Sequence, residues 1–452
     1  MSSVMTLRSS RKTLCGWGRY PVQTCYVYCP RSESEIIHLL KSGLPLIARG
    51  NGRAYGDSAF NREATLQMSH FNRLLEFNPQ TGQLIAEAGV LLAEILEIFV
   101  PRGWFPLITP GTKFVTVGGM IAADVHGKNH HKDGSFVHSL DWLDLLTTEG
   151  KIYRCSPLEN RDLFYWTVGG MGLTGVILRA AFRLRPIETA WIRQTTHIAK
   201  NLDEAIDLFE AAQAATYSVA WIDCLASGAH LGRSVVMLGE HATREELPAK
   251  YQQRPLRTPR RRRLSIVMDF PNGALNSLTV RAFNQLYFLN SQRQAGQSFV
   301  DWETFFYPLD SLLGWNRIYG RRGFVQFQCV LPLSAAREGL SALLHCTSAA
   351  ATGSFLAVLK KLGHSQGYLS FPMAGYTLAL DFPMSQRTLK VLDQLEEIAL
   401  GYGGRFYLAK DSHLTPMRLR QSDSRVETFV QVRNAHQWRV HFASEQSKRL
   451  KL

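Results

Sequence analysis

What this 452-residue chain lacks narrows its class before any motif is read. No run of 18 or more apolar residues exists, which excludes a bilayer-spanning helix. The first 30 residues mix Arg8, Arg11, Lys12 and Arg19 with only short apolar pieces, which is not the pattern of a secretory leader. The seven cysteines are odd in number and scattered, with no Cys-x-x-Cys spacing for a zinc or redox site. Reduced thiols in a cytoplasmic protein are the expectation. Acid is also short: 37 Asp and Glu against 51 Lys and Arg leave a net charge of +14.

What remains is ordinary globular material, 45% apolar and 19% charged, long enough for two substantial cores. Part of the excess charge is local. Arg254, Arg257, Arg260, Arg261, Arg262 and Arg263 fall within ten residues, in a polar stretch from Gly239 to Arg263 that reads as a disordered loop. No aromatic-interleaved basic motif accompanies the run, so nucleic acid is not an expected partner. The apolar residues beside it, Leu264, Ile266, Val267 and Met268, suit an anionic membrane surface; the blander reading is a solvated loop.

Periodicity gives the organisation. From about Ser32 to Arg185 the chain reads as α/β: a helix over Glu33 to Ser42, strands at Leu44 to Ala48, Ala64 to Met68 and Gln83 to Ala88, and a helix over Leu91 to Val100 stopped by Pro101 and Gly103. Val176 to Leu184 is a strand. The texture then changes. Asn201-Leu-Asp-Glu204 reads as a capping box opening a helix with Leu202, Ala205, Ile206 and Phe209 inward. Strands follow at Tyr217 to Asp223, Gly323 to Leu331 and Tyr376 to Asp381. An amphipathic helix over Thr388 to Leu400 stops at Gly401, Gly403 and Gly404, and Arg405 to Lys410 is strand-like.

Three glycine clusters stand in the first 180 residues: Arg49 to Asp57, Val115 to Ala122, and Gly169 to Gly175. The first has neither the usual dinucleotide spacing nor a Walker ending. It reads as a nest, in which glycines at positive φ aim successive amides at an anion such as a pyrophosphate, or else as a plain turn. Directly after the second cluster comes Ala123-Asp-Val-His-Gly-Lys-Asn-His-His131. His126 and His130 have a metal-ligand spacing, but Gly127 breaks the helix it needs and no Cys or Glu stands near, so no metal is expected. Lys128 beside His126 better suits an anionic cofactor ring or a phosphate. In Gly323 to Leu331, Gln326 and Gln328 share one strand face, wetted or lining a pocket for a hydroxyl-rich ligand.

These strings occur together with Pro110-Gly-Thr112, Gly172-Leu-Thr-Gly-Val-Ile177, Phe270-Pro-Asn-Gly273, Trp315-Asn-Arg317, Asp381-Phe-Pro383, Ala409-Lys-Asp-Ser412 and Phe442-Ala-Ser444. Nearly end to end, the sequence resembles the flavin-dependent oxidases of decaprenylphosphoryl-ribose epimerisation, within the vanillyl-alcohol-oxidase superfamily. The resemblance implies an α+β, two-domain FAD-binding fold. Residues 1–187 would begin the FAD domain, 188–403 would be an inserted substrate domain with an antiparallel sheet, and 404–452 would complete the FAD domain. FAD contacts are implied for Arg49, Gly50, Asn51, Gly52, Arg53, Ala54, Tyr55, Gly56, Asp57, Ser58, Gly111, Thr116, Val117, Gly118, Gly119, Ala123, Asp124, Val125, His126, Ile177 and Tyr407. Relatives with a covalent flavin carry His where this chain has Arg53, so the implied FAD is non-covalent.

The implied activity is hydride removal from C2 of a polyprenylphosphoryl ribose, giving a 2-keto sugar that a separate short-chain reductase reduces. Tyr55, Lys128, Trp221, Gln326, Gln328, Lys360, Thr377, Ala379 and Lys410 would surround the substrate. Lys410 and His126 would accept the hydroxyl proton, and Lys128 and Lys360 would hold the phosphate. Some relatives carry Cys in place of Ala379 and Asn in place of Thr377, so a thiol there is not essential. An aldonolactone oxidase shares the fold but has no reason to keep Lys128 and Lys360. The expected location is cytoplasmic, peripheral at the inner membrane.

Overall fold

The computed structural model describes residues 8–259, 264–354 and 356–452, and its strands form three large sheets. The first runs Ser9–Cys15, Val22–Tyr28, Ala64–Gln67, Leu46–Arg49, with one antiparallel pair and the rest parallel. Helix Glu33–Lys41 precedes its last strand. Ser32 caps that helix by accepting from the Glu35 amide, and Ile36, Leu39 and Leu40 bury against Leu46 and Leu66. The second sheet is antiparallel: Leu74–Asn78, Gln83–Glu87, Val176–Pro186, Leu140–Leu146, Ile152–Cys155, with Trp104–Pro106 also on the long Val176–Pro186 strand. Helix Leu92–Phe99 closes on Gly103, whose φ of 81° is left-handed and suits only glycine without strain.

The third sheet has eight antiparallel strands: Gly296–Asp301, Trp191–Ala199, Ser234–His241, Tyr217–Ile222, Ala357–Leu362, Gly375–Pro383, Phe324–Pro332 and Arg405–Phe406. The two-residue period sorts its faces. Val325, Phe327, Cys329, Leu359, Leu378 and Leu380 join a core with the helices Leu202–Ala211, Ala336–Ala349 and Gln386–Gly401. Gln326, Gln328, Val358, Lys360, Thr377 and Ala379 point the other way, into a cavity.

Several expectations need correction. Asn201 caps its helix by accepting from the Glu204 amide, but the Glu204 carboxylate accepts from Lys200, one residue earlier than a capping box requires. Gly239 to His241 is not loop; it ends the Ser234–His241 strand, held between two neighbours, and Ala249–Gln252 is a short helix. Arg260 to Arg263 lie outside the described residues. Only Arg405–Phe406 of the expected C-terminal strand pairs, and it joins the eight-stranded sheet; the chain turns at once so that the Tyr407 amide reaches the Gln328 carbonyl. The last helices return to the first sheet, where Phe442 bridges Leu46. All seven cysteines are free thiols, and among the described residues no helix is long and apolar enough to cross a membrane.

Candidate active site

All three sheets contribute wall to one cavity of about 430 Å³, a size typical of ligand sites. Part of the wall is the first glycine loop. Only Gly52 there is left-handed, with φ of 64°, so the loop is not the run of positive-φ glycines that a nest implies. Gly50 is glycine for another reason: a Cβ would overlap the Thr116 hydroxyl, which caps helix Val117–Ala122 by accepting from the Gly119 amide at 3.2 Å. Asn51 ties the loop to the Phe114 carbonyl at 2.8 Å, and the Arg53 guanidinium stacks 4.0 Å from the Trp17 ring centre.

His126 in the same wall is buried, with the Tyr407 ring 5.1 Å away and Gln328 at 3.4 Å. Burial, aided by the Lys360 charge, holds its pKa well below the ordinary value, so the ring is neutral. Its Nδ1 and the Gln326 Oε1 are buried without hydrogen-bond partners, atoms of the kind a bound ligand satisfies.

The cavity wall also carries three lysines. Burial pulls Lys128 down to about 7 and Lys360 to about 8. The Lys128 ammonium donates to the Phe305 carbonyl and sits 4.1 Å over that residue's ring. Lys410 is supplied by the turn after Phe406, its nitrogen 3.7 Å over the ring of Tyr55. Burial lowers the Lys410 pKa against the opposing pull of Asp381. Burial keeps Tyr55 a phenol and raises Asp381, whose one oxygen accepts from Gln326. Register explains the gathering: Gln326 faces Asp381, Gln328 faces Ala379, and Lys360 faces Thr377, all on one side of the sheet.

Every substrate-side residue expected from sequence lines this cavity, and so do most of the cofactor-side ones. Five of the latter do not. Arg49 turns away to the carbonyls of Cys15 and Ala59; Gly56 packs against the Asp411 backbone; Asp57 pairs with Arg449 at 2.8 Å. Val117 is core, and Asp124 is fully buried, accepting from Ser135, Ser370 and the Val137 amide. These brace the wall from behind. Residues missed from sequence include Trp17, Tyr287, Asp310 and Trp315 in the wall and Asp381 behind Gln326. Asp310 anchors the Thr112–Lys113 turn through the Lys113 amide, at 2.8 Å.

An FAD binding domain model matches residues 25–156, the stretch that carries the first two glycine clusters. Over 98% of both chains, the sequence is 35% identical to a decaprenylphosphoryl-β-D-ribose oxidase of Mycolicibacterium smegmatis. The chain belongs to this oxidase family. A Streptomyces coelicolor protein is 32% identical over 80% of this chain and the whole of its own length. Cytokinin dehydrogenase 4 of Arabidopsis thaliana is 32% identical over 37% of this chain and 36% of its own. The enzyme is thus an FAD-dependent oxidoreductase. Gly50, Gly118 and Gly119 line the cavity without side chains, and with the orphaned His126 Nδ1 they fit a flat ring and its pyrophosphate.

Proposed function

We propose that this enzyme oxidises C2 of the ribose in a polyprenylphosphoryl ribose to a ketone, the first half of an epimerisation that a separate short-chain reductase completes. The observation that carries the reading is the cavity with three half-buried lysines in its wall, Lys128, Lys360 and Lys410, beside a neutral His126. Bound FAD, held non-covalently because Arg53 offers no histidyl link, supplies the hydride acceptor. Lys410, lowered by burial so that it is neutral for part of the time, takes the hydroxyl proton as the carbonyl forms. Asp381 balances the charge that Lys410 then carries. Gln326 and Gln328 donate to sugar hydroxyls, Trp221 and Tyr55 pack on the ring, and Lys128 and Lys360 meet the phosphate.

A sugar lactone would leave two half-buried ammonium groups without an anion, which disfavours the aldonolactone reading. The same reading assigns residues 1–187 and 404–452 to an FAD domain and 188–403 to an inserted substrate domain, in a cytoplasmic protein that is peripheral at an anionic inner membrane. The test is anaerobic flavin bleaching by prenylphosphoryl pentoses and by sugar lactones. Bleaching by the ribose lipid is expected; bleaching by lactones alone overturns the proposal.

A further inference from the structure

Exposed apolar residues are concentrated in one part of this chain. Half of the large apolar side chains that stand exposed among the described residues fall between Leu264 and Leu289. Leu264, Val267 and Met268 are 68–75% exposed on a segment tied down by the Leu264–Leu312 pairing and by the Phe270 amide on the Arg317 carbonyl. Seven residues after Phe270 begins helix Ser277–Arg293, capped by Asn276, whose side chain accepts from the amides of Leu278 and Thr279. Its inner side is unusual for a surface helix. Val280, Asn284, Phe288 and Ser291 are buried, with Asn284 donating to Asp223 at 2.6 Å, while Leu278 and Leu286 are 77% and 69% exposed and Leu289 42%. A helix folded only for water places such leucines inward.

Charge names the occupant. From Pro248 to Val300 the described cations Lys250, Arg254, Arg257, Arg281 and Arg293 are all exposed, and the sequence adds four more arginines. The stretch has one acid, Asp269, and Arg19 neutralises it through contacts at 2.6 and 3.2 Å. Leucines among cations suit a surface with anionic headgroups over acyl chains. The helix also joins this face to the site: Tyr287 stands 4.7 Å from Trp221, and both line the cavity.

We infer that the outer side of helix Ser277–Arg293, with the segment from Leu264 to Phe270, docks the enzyme on an anionic bilayer, so that a lipid-borne substrate passes along Tyr287 into the cavity. The passage of substrate rests on the function proposed above; the docking does not. Flavin-loaded protein should cosediment with phosphatidylcholine vesicles that contain phosphatidylglycerol and much less with phosphatidylcholine alone. Leu278→Ser with Leu286→Ser should weaken that binding at least about tenfold, the effect of removing two leucines that the bilayer would cover, while leaving the flavin spectrum unchanged. Added salt should weaken the wild type further. Wild-type affinity in the double variant overturns the inference. So does a dimer in sedimentation that the double variant abolishes, which would assign the face to a second copy. Vesicle binding with no oxidation of a ribose lipid would sink the proposed function and leave the docking intact.

Discussion

The ammonium nitrogen of Lys410 rests 3.7 Å over the ring of Tyr55, in a cavity where burial penalises its charge and only Asp381 favours it. A lysine so placed is a base whose strength depends on one carboxylate. The Tyr55 backbone is fixed by its amide on the Ala409 carbonyl, so the ring and the lysine turn are positioned together.

Lys410→Ala should therefore keep its flavin and lose flavin reduction by substrate on the order of 10²-fold or more. Asp381→Asn gives a sharper test. Asp381 raises the Lys410 pKa, so its loss should lower it further and move the acid limb of the rate-against-pH curve to lower pH. Stopped-flow bleaching across pH measures both. Unchanged reduction in Lys410→Ala would transfer the base role to His126 or water.

The cofactor should come free. Arg53 lines the cavity and stacks on Trp17 and Phe114, so no imidazole is there to bond the flavin ring. Acid precipitation should leave FAD in the supernatant, read by its absorbance. Colour retained in the pellet would contradict this.

Much of this site was legible because strand parity is local. Gln326 and Gln328 share a face whatever the rest of the chain does, and the helix faces at Leu202 to Phe209 and Leu389 to Ala399 follow from spacing alone. What escaped depends on distant partners. Arg49 and Asp57 sit in a cofactor-like loop, yet one turns to Cys15 and the other to Arg449, and no local pattern announces either. Asp381 stands in an otherwise apolar strand segment and gains meaning only when register brings Gln326 against it and the Lys410 turn nearby.

Arg449 joins the two ends of the chain, contacting Asp57 and Asp411 at 2.8 Å each; both carboxylates are almost fully buried, while the arginine keeps 27% exposure. Burial pushes Asp411 up, but Arg449 and two backbone amides pull it net below its ordinary value. Arg449→Met leaves two buried carboxylates uncompensated and should cost roughly 3 kcal/mol, the low end for a broken buried pair given that exposure. Denaturant titration of the flavin-free protein measures it. An unchanged midpoint would show the network to be incidental.

The three cavity lysines make stability rise with pH, as paired carboxylates do in acid-sensitive proteins, but in a window on the alkaline side of neutral. Folded, Lys128 and Lys360 titrate at about 7 and about 8, and Lys410 is lowered too; unfolded, each holds its proton up to roughly 10.4. Between those limits the unfolded chain binds more protons, so folding stability rises with pH. Other groups act elsewhere: the depressed His126 and His130 act with the same sign but below the ordinary histidine range, and the raised Asp381 acts with the opposite sign on the acid side of neutral. The thermal midpoint of the flavin-free enzyme should thus climb between about pH 7 and about pH 9. Lys128→Met combined with Lys360→Met should flatten the climb and raise the midpoint at neutral pH, since a methionine carries no buried charge. Inorganic phosphate should stabilise the wild type near neutral pH and do little for the double variant, because it supplies the anion these lysines lack. A midpoint that falls across this range would mean that the lysines stay protonated in the folded state.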